Sequence, residues 1–109
     1  MQSAVAAQDR IFIALADPSR RAIFESLTRG EAAVKDLTAR FDISQPAVSQ
    51  HLATLRDAQL VTARREGRLV FYRVDPRGMK PLIDWIAHYR AFWAEHVGRL
   101  ERLLEKMDQ

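Results

Sequence analysis

"ISQPAVSQHLATL" (residues 43–55) reads as a helix with its entry signal attached. The Ser44 hydroxyl suits an N-cap, because it can accept from a free backbone N–H of the first turn. Pro46 fits that turn, where its missing N–H is not needed. Val48, Leu52 and Leu55 recur at i, i+4 and i+7 and make one apolar face. The opposite face carries Gln45, Ser49, Gln50 and Thr54 and almost no charge, whereas a solvated helix face is usually rich in Lys and Glu. At about 100° per residue, Gln50 points almost straight out, Ser49 and Gln45 lie on one flank, and His51 lies on the other near the helix boundary. Short uncharged donors and acceptors suit the edges of bases in a DNA major groove. Gln pairs with adenine, Ser and Thr bond several base edges, and small apolar groups meet the thymine methyl. The first half of such a helix is the part that enters the groove.

The flanking segments supply the context. Upstream, "VKDLTARF" (34–41) has Val34, Leu37 and Phe41 as the apolar positions of a short helix, and "DIS" joins it to the next. Two short amphipathic helices around a tight turn make a helix-turn-helix, here over about 34–58. Downstream, "VTARRE" and "LVFYRV" are rich in β-branched and aromatic residues and are separated by Gly67-Arg68, so a tight II′ hairpin is expected over about 61–74. Further upstream, Gln8–Ala16 is a short helix, and "DPSRRAIFESL" starts a second with Asp17 as cap and Pro18 in its first turn. Gly30 ends the second helix.

From about Pro76 onward, Leu82, Trp85, Ile86, Tyr89, Phe92, Trp93, His96, Leu100, Leu103, Leu104 and Met107 keep three- and four-residue spacing. One helix over about 78–106 is expected, roughly 40 Å long at about 1.5 Å per residue. Its aromatic stripe exceeds what so small a body can cover, so a second copy of the chain is the simplest partner.

Composition sets the bounds. The 109 residues, 48% hydrophobic and 28% charged, make a single domain, 1–109. Absence of cysteine excludes disulfides and thiolate metal sites. No apolar run is long enough to span a membrane, and "MQSAVAAQDR" does not read as a secretory leader, so a cytoplasmic protein is expected. The net charge of +3 comes from one segment: residues 61–78 hold Arg64, Arg65, Arg68, Arg73 and Arg77 against Glu66 and Asp75. A basic hairpin beside an uncharged polar helix points to a polyanion partner, with Arg64, Arg65 and Arg68 contacting DNA phosphates or the minor groove. Arg64 and Arg65 face opposite ways on a strand, and Arg68 at the tip is best placed. There is no Gly-rich phosphate loop or nucleophile elbow, and His51, His88 and His96 form no catalytic constellation, so an enzyme is not expected.

"ALADPSRRAIFESL", "VKDLTARFDISQPAVSQHLATLRDAQLV" and "RREGRLVFYRV" resemble the ArsR (SmtB-type) winged helix-turn-helix transcriptional regulators over about residues 10–105. The resemblance implies a mainly α fold with a β-hairpin wing, in the order α-α-α-α-β-β-α. It implies a homodimer through the first and last helices and repression by occupying an operator in double-stranded DNA. It places Ser44, Gln45, Ser49, Gln50 and His51 on the recognition helix, joined by Thr54 on the outward face, and Arg64–Arg68 on the wing. Ile11 and Leu15 of the first helix, and Trp85, Tyr89, Phe92, Trp93, His96 and Leu100 of the last, are then the dimer interface.

The family is known for metal sensing, and here the sequence departs from it. Ala33 and Lys35 stand at the thiolate positions, and neither holds a soft metal. The family's Asp-x-His spacing on the last helix is broken, because Ile86 takes the His position. The expectation is therefore a metal-independent autorepressor with no cofactor and an unknown effector. Two alternatives stand beside it. One is a zinc-responsive repressor using Asp84, His88 and His96 across the dimer. The other is a protein-interaction module that kept a winged helix and lost DNA binding.

Overall fold

Two capped helix starts, each with a proline in the first turn, set the frame of the molecule. The computed structural model describes residues 4–108, so the first three residues of the stretch read for a leader lie outside the described residues. Helix α1 (Ala4–Ala16) stops at Asp17, whose carboxylate accepts from the Arg20 backbone N–H at 2.9 Å and starts α2 (Pro18–Leu27). Arg20 and Arg21 turn back onto the end of α1. The Arg20 Nε donates to the Ala14 carbonyl at 2.6 Å, and Arg21 donates to the Leu15 carbonyl at 2.8 Å. "DPSRR" is thus a corner piece: its acid starts one helix while its bases satisfy the orphan carbonyls of the previous one.

After α2 come a two-residue strand β1 (Ala32–Ala33), helix α3 (Val34–Phe41), helix α4 (Gln45–Asp57) and strands β2 (Val61–Glu66) and β3 (Leu69–Val74). Helix α3 ends on Asp42 in the left-handed region at φ 51°. A short polar residue tolerates that conformation, and it lets the chain reverse within three residues. Ser44 Oγ then accepts from Ala47 N–H at 3.2 Å, the cap expected for α4. Helix α4 closes with Gln59 at φ 63°, the Gln59 N–H on the Arg56 carbonyl and the Leu60 N–H on the Leu55 carbonyl. That pairing is a Schellman ending.

The hairpin has the expected register, Glu66 opposite Leu69 across Gly67-Arg68. Gly67 has φ 62° and Arg68 is not among the positive-φ residues. A II′ turn needs that combination. Strand β1, unforeseen in the sequence, adds to β3 as Ala32 opposite Tyr72 and gives a three-stranded sheet in the order β1-β3-β2.

One core joins these elements. Ile23, Leu37, Val48, Leu52, Leu55 and Leu60 have no solvent exposure, and Ile11, Ala14 and Val61 are nearly as closed. Ile11, expected at a dimer interface, belongs to this core instead, because α1 turns it toward α2 and α4 while Phe12 and Ile13 stay exposed.

The long helix expected over about 78–106 is divided. A single 3₁₀ turn (Pro76–Met79) leads into α5 (Lys80–His88), and α6 (Arg90–Met107) follows after a break at Tyr89, whose φ and ψ are −104° and 12°. The reason is packing. Helix α5 follows α1, with the Trp85 ring edge-on to Phe12 at 5.5 Å. Tyr89 is held between Trp85 and His88, at 5.2 and 4.8 Å, and α6 then leaves the body. The radius of gyration is 17.9 Å, whereas a compact chain of this length has roughly 13 Å.

Candidate nucleic-acid interface

The first half of α4 stands on the surface. Ser44, Gln45, Ser49 and Gln50 are exposed, over an apolar face formed by Val48, Leu52 and Leu55 that is fully closed. Burial of that face fixes the helix rotation, and the rotation presents the uncharged residues together. His51 is half-buried at the boundary. Its Nδ1 faces inward without a hydrogen-bond partner among the described residues, and the ring lies close enough to Asp17 to help hold that carboxylate ionised. The larger cause of the lowered Asp17 pKa is the backbone N–H of Arg20. Thr54 donates to the Gln50 carbonyl at 3.2 Å and lines a shallow groove with Arg10 and Ile13 of α1. It is therefore set apart from Gln45 and the wing.

The wing arginines divide into two kinds. Arg64 is committed to the protein. Its guanidinium pairs with Glu31 in the loop before β1, bonds Glu66 at 2.8 Å and lies over the Phe71 ring at 4.8 Å. These carboxylates push the Arg64 pKa up, and Arg64 holds the Glu31 carboxyl below its ordinary value. Arg65 and Arg68 are exposed, and their side chains have no partner among the described residues. Arg73 donates to the Thr62 hydroxyl at 3.4 Å, and Arg77 stays with Asp75. A groove between the start of α4 and the wing tip is lined by Val34, Lys35, Gln45, Arg68 and Leu69. Sequence reading missed Glu31 as the Arg64 partner, since 33 residues separate them and nothing local marks the pair.

A second surface lies on the terminal helices. Phe12, Ile13, Ile86, Tyr89, Phe92, Trp93, Val97, Leu100, Leu103, Leu104 and Met107 are all exposed, Leu100 by 54%. Leu15 and Trp85 are half-buried in the chain itself.

The residues suggested for zinc have other engagements. Asp84 pairs with Lys80 at 2.6 Å, His88 packs on Tyr89, and His96 Nδ1 lies 2.8 Å from the Phe92 carbonyl. That carbonyl only accepts, so the Nδ1 carries the proton. No group of three potential ligands gathers among the described residues of one chain. With Ala33 and Lys35 at the thiolate positions, the donor set of a single chain does not fit a soft metal.

A helix-turn-helix with an exposed second helix and an arginine-bearing hairpin beside it defines the winged helix-turn-helix class of DNA-binding transcriptional regulators. The sequence model of the family described as "Bacterial regulatory protein, arsR family" matches residues 17–63. The chain is 30% identical to the transcriptional repressor SdpR of Bacillus subtilis (strain 168), over 74% of this chain and 90% of that protein. It is 45% identical to the biofilm growth-associated repressor of Agrobacterium fabrum, over 73% of this chain and 67% of that protein. Among solved structures it superposes on HlyU from Vibrio cholerae N16961 with a TM-score of 0.67 and 34% identity, covering 84% of this chain and 98% of that one. The chain belongs to the ArsR family of transcriptional regulators and is a DNA-binding regulator, not an enzyme. No helix among the described residues is long and apolar enough to cross a membrane.

Proposed function

We propose that the chain acts in the cytoplasm as a homodimeric repressor on a pseudo-palindromic operator, without a thiolate metal site. The observation that carries this reading is the exposed uncharged face of α4, with Gln45, Ser49 and Gln50 beside the free Arg68 of the wing. Gln50 and Ser49 read base edges. Arg68, with Arg65, holds the backbone or the neighbouring minor groove. Arg64 anchors the wing through Glu31 and leaves the phosphates to the other two. Ser44 serves mainly as the cap that orients the helix N-terminus and its N–H groups toward the duplex.

The homodimer rests on the apolar stripe of α5 and α6, extended by Phe12 and Ile13 of α1. Tyr89, Phe92, Trp93 and Leu100 have no body of their own to cover them, and a second copy supplies the same apolar face by symmetry. Two α4 helices related by a two-fold axis then read half-sites about 34 Å apart, one turn of DNA, or a multiple of it.

The test is a footprint on the promoter upstream of the chain's own coding sequence, with sedimentation of the pure protein. A two-fold-symmetric protected site and a dimer are expected. Repeating the footprint with added Zn²⁺ leaves it unchanged if the regulator is metal-independent. A monomer that protects no promoter fragment overturns the reading.

A further inference from the structure

We infer that Lys35 and Arg68 together seat a single backbone phosphate of the bound duplex; this rests on the DNA-binding reading and deepens it. Lys35 lies in the first turn of α3, and Arg68 lies at the wing tip, 33 positions later. The fold brings both to one groove whose other wall carries Gln45, the first residue of the recognition helix. Both cations are exposed, and neither side chain has a partner among the described residues. That sets them apart from Arg20, Arg21, Arg40, Arg64, Arg73 and Arg77, each of which spends its guanidinium on a carbonyl, hydroxyl or carboxylate of the chain. The one acid in the first turn of α3, Asp36, does not line the groove. Its carboxylate is turned back onto the Ala33 N–H at 3.2 Å, where it caps the helix.

The position fits a phosphate for a geometric reason. With α4 in the major groove and the hairpin over the adjacent minor groove, one sugar–phosphate strand separates them. That strand crosses the gap between Gln45 and Arg68, where Lys35 stands. Lysine offers a point charge on a flexible stem, and arginine offers a planar fork, so the two can grip one phosphate together. The rest of the groove lining, Ala33, Val34, Leu69 and Val70, is apolar and holds no competing anion.

The test counts phosphates. The full chain is titrated onto a labelled mixed-sequence duplex and onto its own promoter fragment at several salt concentrations. The slope of log affinity against log salt falls by about 0.9 for each neutralised phosphate that is lost. Because the seat needs both cations to hold the phosphate, Lys35→Gln and Arg68→Gln each lower the slope by that amount per copy, and Lys35→Arg restores it. Across a fourfold rise in salt this amounts to roughly three- to fourfold less weakening per seat. The double variant loses no more slope than either single one, because one phosphate serves both cations. Lys106→Gln, at the end of α6, leaves the slope alone. Three results overturn the inference while the DNA-binding reading stands: an unchanged slope for Lys35→Gln, a double variant that loses the sum of the two, or an equal loss for Lys106→Gln. A wild-type chain that binds neither duplex overturns both.

Discussion

Helices α4 and α6 have the same kind of sequence and opposite fates. Each places apolar residues three and four apart on one side. In α4 that side, Val48, Leu52 and Leu55, has no solvent exposure. In α6 the equivalent side, Trp93, Val97, Leu100 and Leu104, is about half exposed, and among the described residues only α5 touches the helix appreciably. The apolar stripe of a helix says that it must be covered. Whether the same chain covers it depends on the volume of the body, and this body is filled once α1 to α5 and the sheet have closed. Helix α4 is finished by its own fold and leaves its polar side exposed. Helix α6 leaves its apolar side open, the face on which the proposed dimer rests.

The strongest way to break this contrast is to cut one leucine from each stripe. Leu52→Ala should lower the unfolding free energy by roughly 2–5 kcal/mol, since it opens a cavity in a closed core. The loss should be the same at every protein concentration. Leu104→Ala should cost the isolated chain little and weaken self-association about tenfold or more, equivalent to about 1.4 kcal/mol or above. Its melting midpoint should therefore depend on protein concentration. Thermal melts of both variants at two widely spaced concentrations decide the matter. A concentration-independent loss for Leu104→Ala would place α6 inside the chain's own core after all.

The polar side of α4 sharpens the contrast at a smaller scale. Gln50→Ala should cost about 1–3 kcal/mol of discrimination between the operator and a mismatched site. It should leave the salt slope untouched, because no phosphate contact is removed. Binding to the two duplexes over a salt series measures both quantities. Ser44→Ala should lower stability by about 1 kcal/mol through loss of the cap on Ala47 N–H, read by denaturant unfolding.

The parts of the fold that the sequence announces are those set by neighbours in the chain. Ser44 and Pro46 locate the start of α4, and Gly67 locates the hairpin turn, because caps and turns depend on a few adjacent residues. Strand β1 was not legible. Two alanines carry no strand signal, and Ala32–Ala33 are a strand only because Tyr72 and Phe71 lie opposite them. The break at Tyr89 was hidden for a related reason. No Gly or Pro marks it and the apolar spacing runs straight through, while α5 is held to the body by Trp85 on Phe12 and α6 is not. Gly78 shows the same limit. A Cβ there would lie 1.6 Å from the Gln59 carbonyl oxygen, so the turn after the wing needs glycine, yet the obstacle is 19 residues upstream. Of the interface, the outward face of α4 was readable from its rotation alone. The separation of Arg64 from Arg65 and Arg68 was not, because Glu31 reaches Arg64 only in three dimensions.

That separation leads to the smallest of these effects. Arg64 and Glu31 are both well exposed, so solvent screens their attraction and the pair contributes little to global stability. Its role is local, tying the base of the wing to the loop before β1. The Glu31 carboxyl sits below its ordinary value of 4.5, chiefly because Arg64 donates to it. A carboxylate whose folded value is lowered stabilises the folded state above its unfolded value. Here that contribution is lost as pH falls through 4.5 toward the lower folded value. Arg64 stays charged throughout, so Glu31 alone sets the window. Glu31→Gln should therefore be slightly less stable than the parent at neutral pH and equal to it in acid, with the neutral gap shrinking as salt is added. On DNA the two kinds of wing arginine should part company. Arg64→Gln should keep the salt slope, because its guanidinium already belongs to Glu31, Glu66 and Phe71, whereas Arg68→Gln should lower it. If Glu31→Gln instead tightened DNA binding and steepened the slope, the carboxylate would be holding Arg64 back from a phosphate. The wing would then have one kind of arginine, competed for at one position and free at the others.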